Sequence, residues 1–235
     1  HEPPPRANTG RAVPNEADER DYWFLPLTVP AHLADGVELA GMDLVIVADV
    51  SAGTDRAALE LGRSVVESLT GLLGPDDRLA IAGADFALRP LVEGEPIALG
   101  DVSPERVERL LDGLSRTPAG GATDLGAAFA DAARLLSGDR RGVVVYVGDG
   151  VPTMGERTAE ALLDRIARLP VAHRRYAVAV GADAELELLS AVTAGGGFAV
   201  LAEQRREAAD AVLQIFAHAS RPIAHDVRVD LGDGI

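Results

Sequence analysis

The stretch that decides the fold is Asp43–Gly53, DLVIVADVSAG. Its apolar run, Leu44 to Ala48, is rich in Val and Ile and far too short to span a bilayer. Such a run, with no polar alternation, reads as a strand buried on both faces at the centre of a parallel sheet. It breaks off abruptly into Asp49, Val50, Ser51, Ala52 and Gly53. A carboxylate and a hydroxyl two residues apart therefore stand just past the carboxyl end of a central strand. That is where open α/β sheets place their ligands.

Outward from this strand the pattern alternates. A helix with one apolar stripe is expected over residues 55–73, stopped by Gly74-Pro75. A strand follows over residues 78–84, and residues 86–92 read as its antiparallel neighbour at the sheet edge. Ser103-Pro104-Glu105 is a helix start: a capping hydroxyl, Pro in the first turn and an acid near the positive end. The loop TPAGGATD, residues 117–124, leads into an Ala-rich helix over 125–136. Val143–Val147 is a pure β run ending in Gly148-Asp149-Gly150. Then come a helix (158–169), a strand (176–180), a helix (183–192) closed by three glycines, a strand (198–201) and a helix (207–219). That last helix is expected to face inward through Ala209, Val212, Leu213 and Phe216.

This alternation predicts an α/β fold: a doubly wound, mostly parallel sheet with one antiparallel edge strand, helices on both faces, and flanking β-strands. Residues 1–21, rich in Pro and charge, read as a flexible leader or linker. Residues 22–40 read as a flanking strand arm, 41–220 as the body, and 221–235 as the start of a flanking β segment. The half-exposed character of HDVRVDL, residues 225–231, sets that end apart and suggests a piece of a longer protein.

Composition narrows the chemistry. Of 235 residues 47% are apolar but only 4% aromatic, so the core must be built from Ala, Val, Leu and Ile. The net charge of −15 argues against nucleic acid or an anionic membrane as partner. No run is long enough for a membrane span. There is no Cys, which excludes disulfides, thiolate nucleophiles and Cys-bound zinc. There is no Lys either: all 22 basic residues are Arg, which removes P-loop and Schiff-base chemistry.

Three loops at strand ends or helix starts carry the remaining chemistry: Asp49 with Ser51, Thr123, and Asp149. Two carboxylates and two hydroxyls, with no imidazole or thiol, form a hard oxygen set suited to Mg²⁺ or Mn²⁺. Each residue also has a plainer reading. Asp49 and Ser51 fit a helix cap ahead of Asp55, Thr123 fits a cap ahead of Leu125, and Asp149 fits a turn.

VADVSAG, GGATDLGAA and VYVGDGVPT, in this order, resemble the von Willebrand factor A (vWA) domain family over about residues 41–220. The resemblance implies a metal-ion-dependent adhesion site, with Asp49, Ser51, Thr123 and Asp149 as the metal residues. Gly53 stands where the family carries a second serine, so the site is one hydroxyl short. Thr54 can substitute only if its side chain points back into the loop. The flanks YWFLPLTVP and RPIAHDVRVDL are similar to those in proteins resembling the inter-alpha-trypsin inhibitor heavy chains, where a VIT domain precedes.

The function so implied is a non-catalytic protein interaction or adhesion module. A partner's acidic residue completes the coordination of Mg²⁺ or Mn²⁺. By the same resemblance the location is extracellular or in the cell envelope. Two alternatives stand beside it. One is a metal-free scaffold contacting neighbouring domains of the same protein. The other is a Mg²⁺-dependent phosphohydrolase, for which Ser51 stands where a second Asp is wanted and Lys is missing.

Overall fold

The structure, a computed structural model, describes residues 12–13, 22–23, 41–169 and 173–220. The chain divides into two units, Leu39–Pro222 and the two ends, His1–Glu38 with Ile223–Ile235. In the second unit the described residues form one antiparallel pair, β1 (Ala12–Val13) with β2 (Tyr22–Trp23). The rest of the expected leader, arm and C-terminal strand lies outside the described residues.

The larger unit is a seven-stranded sheet. Its strands are β3 (Met42–Asp49), β4 (Arg78–Ala84), β5 (Leu88–Arg89), β6 (Gly100–Asp101), β7 (Arg141–Gly148), β8 (Arg174–Val180) and β9 (Ala199–Ala202). The spatial order is β5-β4-β3-β7-β8-β9, with β6 also on β4. The pairs among β4, β3, β7, β8 and β9 are parallel. The order reverses at β3, which has β4 on one side and β7 on the other. Ligand crevices of doubly wound sheets form at such a switch point.

The antiparallel edge is shorter than the sequence suggests. Of residues 86–92 only Leu88–Arg89 pairs, and a second fragment, Gly100–Asp101, pairs farther along β4. Pro90 lacks the N–H a ladder needs, so the edge is broken into two pieces.

Every residue of β3 is buried. Leu44, Ile46 and Ala48 face one layer and Val45 and Val47 the other, as the strand's two-residue period requires. On the first face lie α1 (Arg56–Thr70), α2 (Pro104–Arg116) and α6 (Arg205–Ser220), through Leu61, Val65, Leu69, Leu114 and Ile215. On the second lie α3 (Leu125–Leu135), α4 (Ala159–Ile166) and α5 (Leu186–Thr193), through Phe129, Leu162, Leu189 and Val192. Each fully buried aliphatic side chain contributes about 1.5–3 kcal/mol.

Helix α6 corrects the expected face in part: Val212 is buried and Phe216 packs partly buried against the core, as expected, but Ala209 and Leu213 are exposed. Ala208, Ala211, Val212, Ile215 and Ala219 are buried, whereas Leu213 is 57% exposed. Two apolar stripes one residue apart run along this helix. The buried stripe is mostly Ala, with Val212 and Ile215 as its larger side chains.

At the opposite end of β3, Asp43 is fully buried and still charged. Arg78 grips both its oxygens, at 2.7 and 2.8 Å, and the Ser137 hydroxyl donates at 2.6 Å. Burial works against this charge, but the Arg78 and Ser137 hydrogen bonds outweigh it and hold the carboxyl below its ordinary value. A depressed carboxylate stabilises the fold above the unfolded value of 3.8 and loses that contribution as pH falls through the folded one. Replacing Asp43 by Asn should cost about 2 kcal/mol at neutral pH, the scale of charge-assisted hydrogen bonds whose partner Arg78 keeps access to water. In thermal melts that is a drop of about 4–8 °C, and the difference should fade below pH 3.8.

Candidate metal centre

The residues of interest gather at the carboxyl edge of β3 and β7. Their local context removes the plainer readings of three of them. Helix α1 is capped by Asp55, whose carboxylate accepts from Ala58 N at 2.8 Å. Helix α3 is capped by Asp124, which accepts from Ala127 N at 2.8 Å. Asp49, Ser51 and Thr123 therefore cap neither helix. Asp149 does close a turn, accepting from Val151 N at 3.0 Å through Oδ1. Its other oxygen turns toward the site.

Asp49 lies on the same face of β3 as Val45 and Val47 and is 5% exposed. Ser51 N donates to its Oδ1 at 2.7 Å, and the Tyr146 hydroxyl donates to its Oδ2 at 2.5 Å. Burial pushes the Asp49 carboxyl above its ordinary value. The Tyr146 and Ser51 hydrogen bonds act against that, and the charge of Asp149 adds to it. Burial, the Asp49 charge and its hydrogen bond raise the Tyr146 phenol well above 10. It stays a donor.

Ser51 is 1% exposed and Thr54 7%. Thr54 does point back into the loop. Its Oγ1 lies 3.4 Å from Ser51 Oγ and 3.4 Å from Asp149 Oδ2. Asp49, Ser51, Thr54 and Asp149 thus form one connected polar chain across the ends of β3 and β7.

Thr123 joins by its backbone. The loop that carries it is clipped to the β3 loop by Gly120 N to Val50 O (2.8 Å) and Ala52 N to Gly121 O (3.2 Å). Thr123 N donates to Thr153 Oγ1 at 2.8 Å, and its carbonyl accepts from Thr153 N and Met154 N. Its side chain is buried, at 5% exposure. Among the described residues no hydrogen bond runs from its hydroxyl to the other three side chains.

Gly148 makes the closeness possible. A Cβ there would stand 2.3 Å from Asp49 Cβ and 2.8 Å from the Tyr146 hydroxyl. Tyr146, two residues earlier on the same face, reaches past the bare Gly148 to Asp49. A polar aromatic within an otherwise aliphatic strand was the available signal for Tyr146, which the motif pattern alone does not mark.

The donor set fits a hard divalent cation. It is all oxygen, and among the described residues no Arg or His pairs with Asp49 or Asp149. Nor do three His, Asp or Glu side chains cluster there. A cation held by two carboxylates must draw its other ligands from hydroxyls and water, as Mg²⁺ readily does.

Comparison with known proteins agrees on the fold. No protein-family profile and no curated protein sequence matches the chain. Solved structures do. A von Willebrand factor type A structure from Catenulispora acidiphila superposes with a TM-score of 0.62 at 16% identity, covering 76% of this chain and 42% of that one. An aerotolerance-related membrane protein from Bacteroides fragilis gives 0.57 at 15% identity, covering 75% and 99%. Proximal thread matrix protein 1 from the mussel byssus, with a zinc-occupied MIDAS motif, gives 0.57 at 12% identity, covering 77% and 48%. This chain spans less than half of the first and third. The fold is that of vWA domains.

Proposed function

We propose that the larger unit is a non-catalytic interaction module that holds a divalent cation, Mg²⁺ or Mn²⁺, and binds a protein partner through an acidic residue. The observation that carries this is the polar chain from Asp49 through Ser51 and Thr54 to Asp149, whose two carboxylates make no ion pair with a basic side chain among the described residues. Asp49, Ser51, Thr123 and Asp149 would hold the cation, with Tyr146 fixing Asp49 from below. The bound cation supplies a Lewis-acidic coordination position that a partner's carboxylate can fill. The mussel byssus neighbour, with zinc in its MIDAS motif, supports a cation here.

Charge explains why the cation is needed. The chain carries −15, and an incoming carboxylate would meet Asp49 and Asp149 directly. A divalent cation reverses the local sign while leaving the partner's acid as the preferred ligand. By the same reading the protein works outside the cell or in the envelope, contacting a protein or its own neighbouring domains. Among the described residues no helix is long and apolar enough to cross a membrane.

Mn²⁺ gives a direct test of the open position. With the protein saturated with Mn²⁺, acetate serves as the carboxylate probe and water-proton relaxation as the readout. Relaxivity should fall as acetate displaces coordinated water. A bound Mn²⁺ whose relaxivity is indifferent to acetate would rule out an open position, and with it this mode of partner binding.

A further inference from the structure

We infer that Thr54 is a direct cation ligand, a hydroxyl moved one residue along the chain to take the place that Gly53 leaves empty. The inference rests on the proposed cation site and changes its character: the site is complete rather than one ligand short.

Three observations carry it. The first is placement. Thr54 immediately precedes the Asp55 cap of α1, where a side chain can turn to solvent at no cost, yet it is 7% exposed and turned inward. The second is spacing. Its hydroxyl stands 3.4 Å from both Ser51 Oγ and Asp149 Oδ2. Hydroxyl hydrogen bonds prefer about 2.7–2.8 Å, so these are loose contacts for a buried hydroxyl. Two ligands at right angles on Mg²⁺, each at about 2.1 Å, stand about 3.0 Å apart. Both contacts lie nearer to the spacing of cis ligands than to that of a tight hydroxyl hydrogen bond. The third is the backbone. A long 3.4 Å contact from Thr54 N to Ser51 O closes the turn at residues 51–54 and folds Thr54 over Ser51, while Gly53 lies at the tip. A side chain at Gly53 would meet nothing within 4 Å. The chain has therefore put its hydroxyl where the loop points inward and its glycine where it points out.

A role in folding and a role as ligand separate cleanly. Thr54→Val keeps the shape and removes the oxygen; Thr54→Ser keeps the oxygen. Mn²⁺ binding to the whole chain, followed by electron paramagnetic resonance, should weaken at least tenfold in Thr54→Val and return to within about threefold of wild type in Thr54→Ser. In the double variant Gly53→Ser/Thr54→Val the new hydroxyl points out into open space and should leave binding as weak as in Thr54→Val; recovery there would overturn the claim that residue 54, not 53, faces the cation. Metal-free thermal melts of all variants verify that each is folded. Wild type binding Mn²⁺ with Thr54→Val binding equally well would overturn the Thr54 assignment and leave the cation site standing. Wild type binding no Mn²⁺ would overturn both.

Discussion

Asp49→Asn is expected to abolish cation binding and, in the same step, to make the metal-free protein more stable. Asp49 is 5% exposed, and its carboxyl is pushed up by burial first, with the Asp149 charge adding to it. A carboxyl raised in the fold binds its proton more tightly there than in the unfolded chain. Its favourable contribution exists at low pH and is lost as pH rises through the folded value, so at neutral pH the ionised group is a net cost. Asn keeps an acceptor for Ser51 N–H and offers an NH₂ toward the Tyr146 oxygen, which can turn to accept. With chelator present, the melting temperature of Asp49→Asn at pH 7 should exceed wild type by about 2–4 °C, for about 1 kcal/mol in a domain of this size. Saturating Mg²⁺ should reverse the ranking, because only wild type gains binding free energy in the folded state. A variant less stable than wild type in chelator would mean that Asp49 serves the fold rather than a ligand.

Gly148→Ala should be the most damaging single methyl at the sheet edge. The added Cβ would sit 2.3 Å from Asp49 Cβ, an atom fixed to the backbone of the neighbouring strand, and 2.8 Å from the Tyr146 hydroxyl. Neither is the free end of a flexible side chain. Strands β3 and β7 must shift, or Tyr146 must leave Asp49. Overpacking of this kind costs about 3 kcal/mol, or about 6–12 °C in melting temperature, and cation affinity should fall with it. Gly53→Ala is the matched control. It meets nothing within 4 Å, so its stability should stay within about 0.5 kcal/mol of wild type. Comparable melts for the two alanine variants would show that the close approach of β3 and β7 is not what the structure describes.

The fold was legible because burial on both faces writes its own signal. Val45 and Val47 facing one layer and Leu44 and Ile46 the other leave no polar residue in the middle of β3. Edges and amphipathic surfaces were harder. Leu88–Arg89 and Gly100–Asp101 are too short to show a period. In α6, two apolar stripes one residue apart gave no sequence reason to prefer Ile215 over Leu213.

The site was legible in part. Asp49 ends β3, and Ser51 and Asp149 lie in the loops just past the strands; Asp49 accepts the Ser51 N–H, and Thr54 bridges Ser51 to Asp149. Thr123 reaches the same edge through its backbone alone. Thr54 needed the turn at residues 51–54 to be seen, since a sequence does not say which way a loop side chain points. Tyr146 needed the register of β3 against β7 and the missing side chain of Gly148. Both are contacts between segments about a hundred residues apart, and no local pattern encodes them.

The most direct measurement is a calorimetric titration of Mn²⁺ into the metal-free protein at pH 7, repeated on Asp49→Asn. Wild type should show saturable binding at one site and the variant none. Wild type showing no saturable binding, or Asp49→Asn binding as wild type does, would contradict a cation site at Asp49.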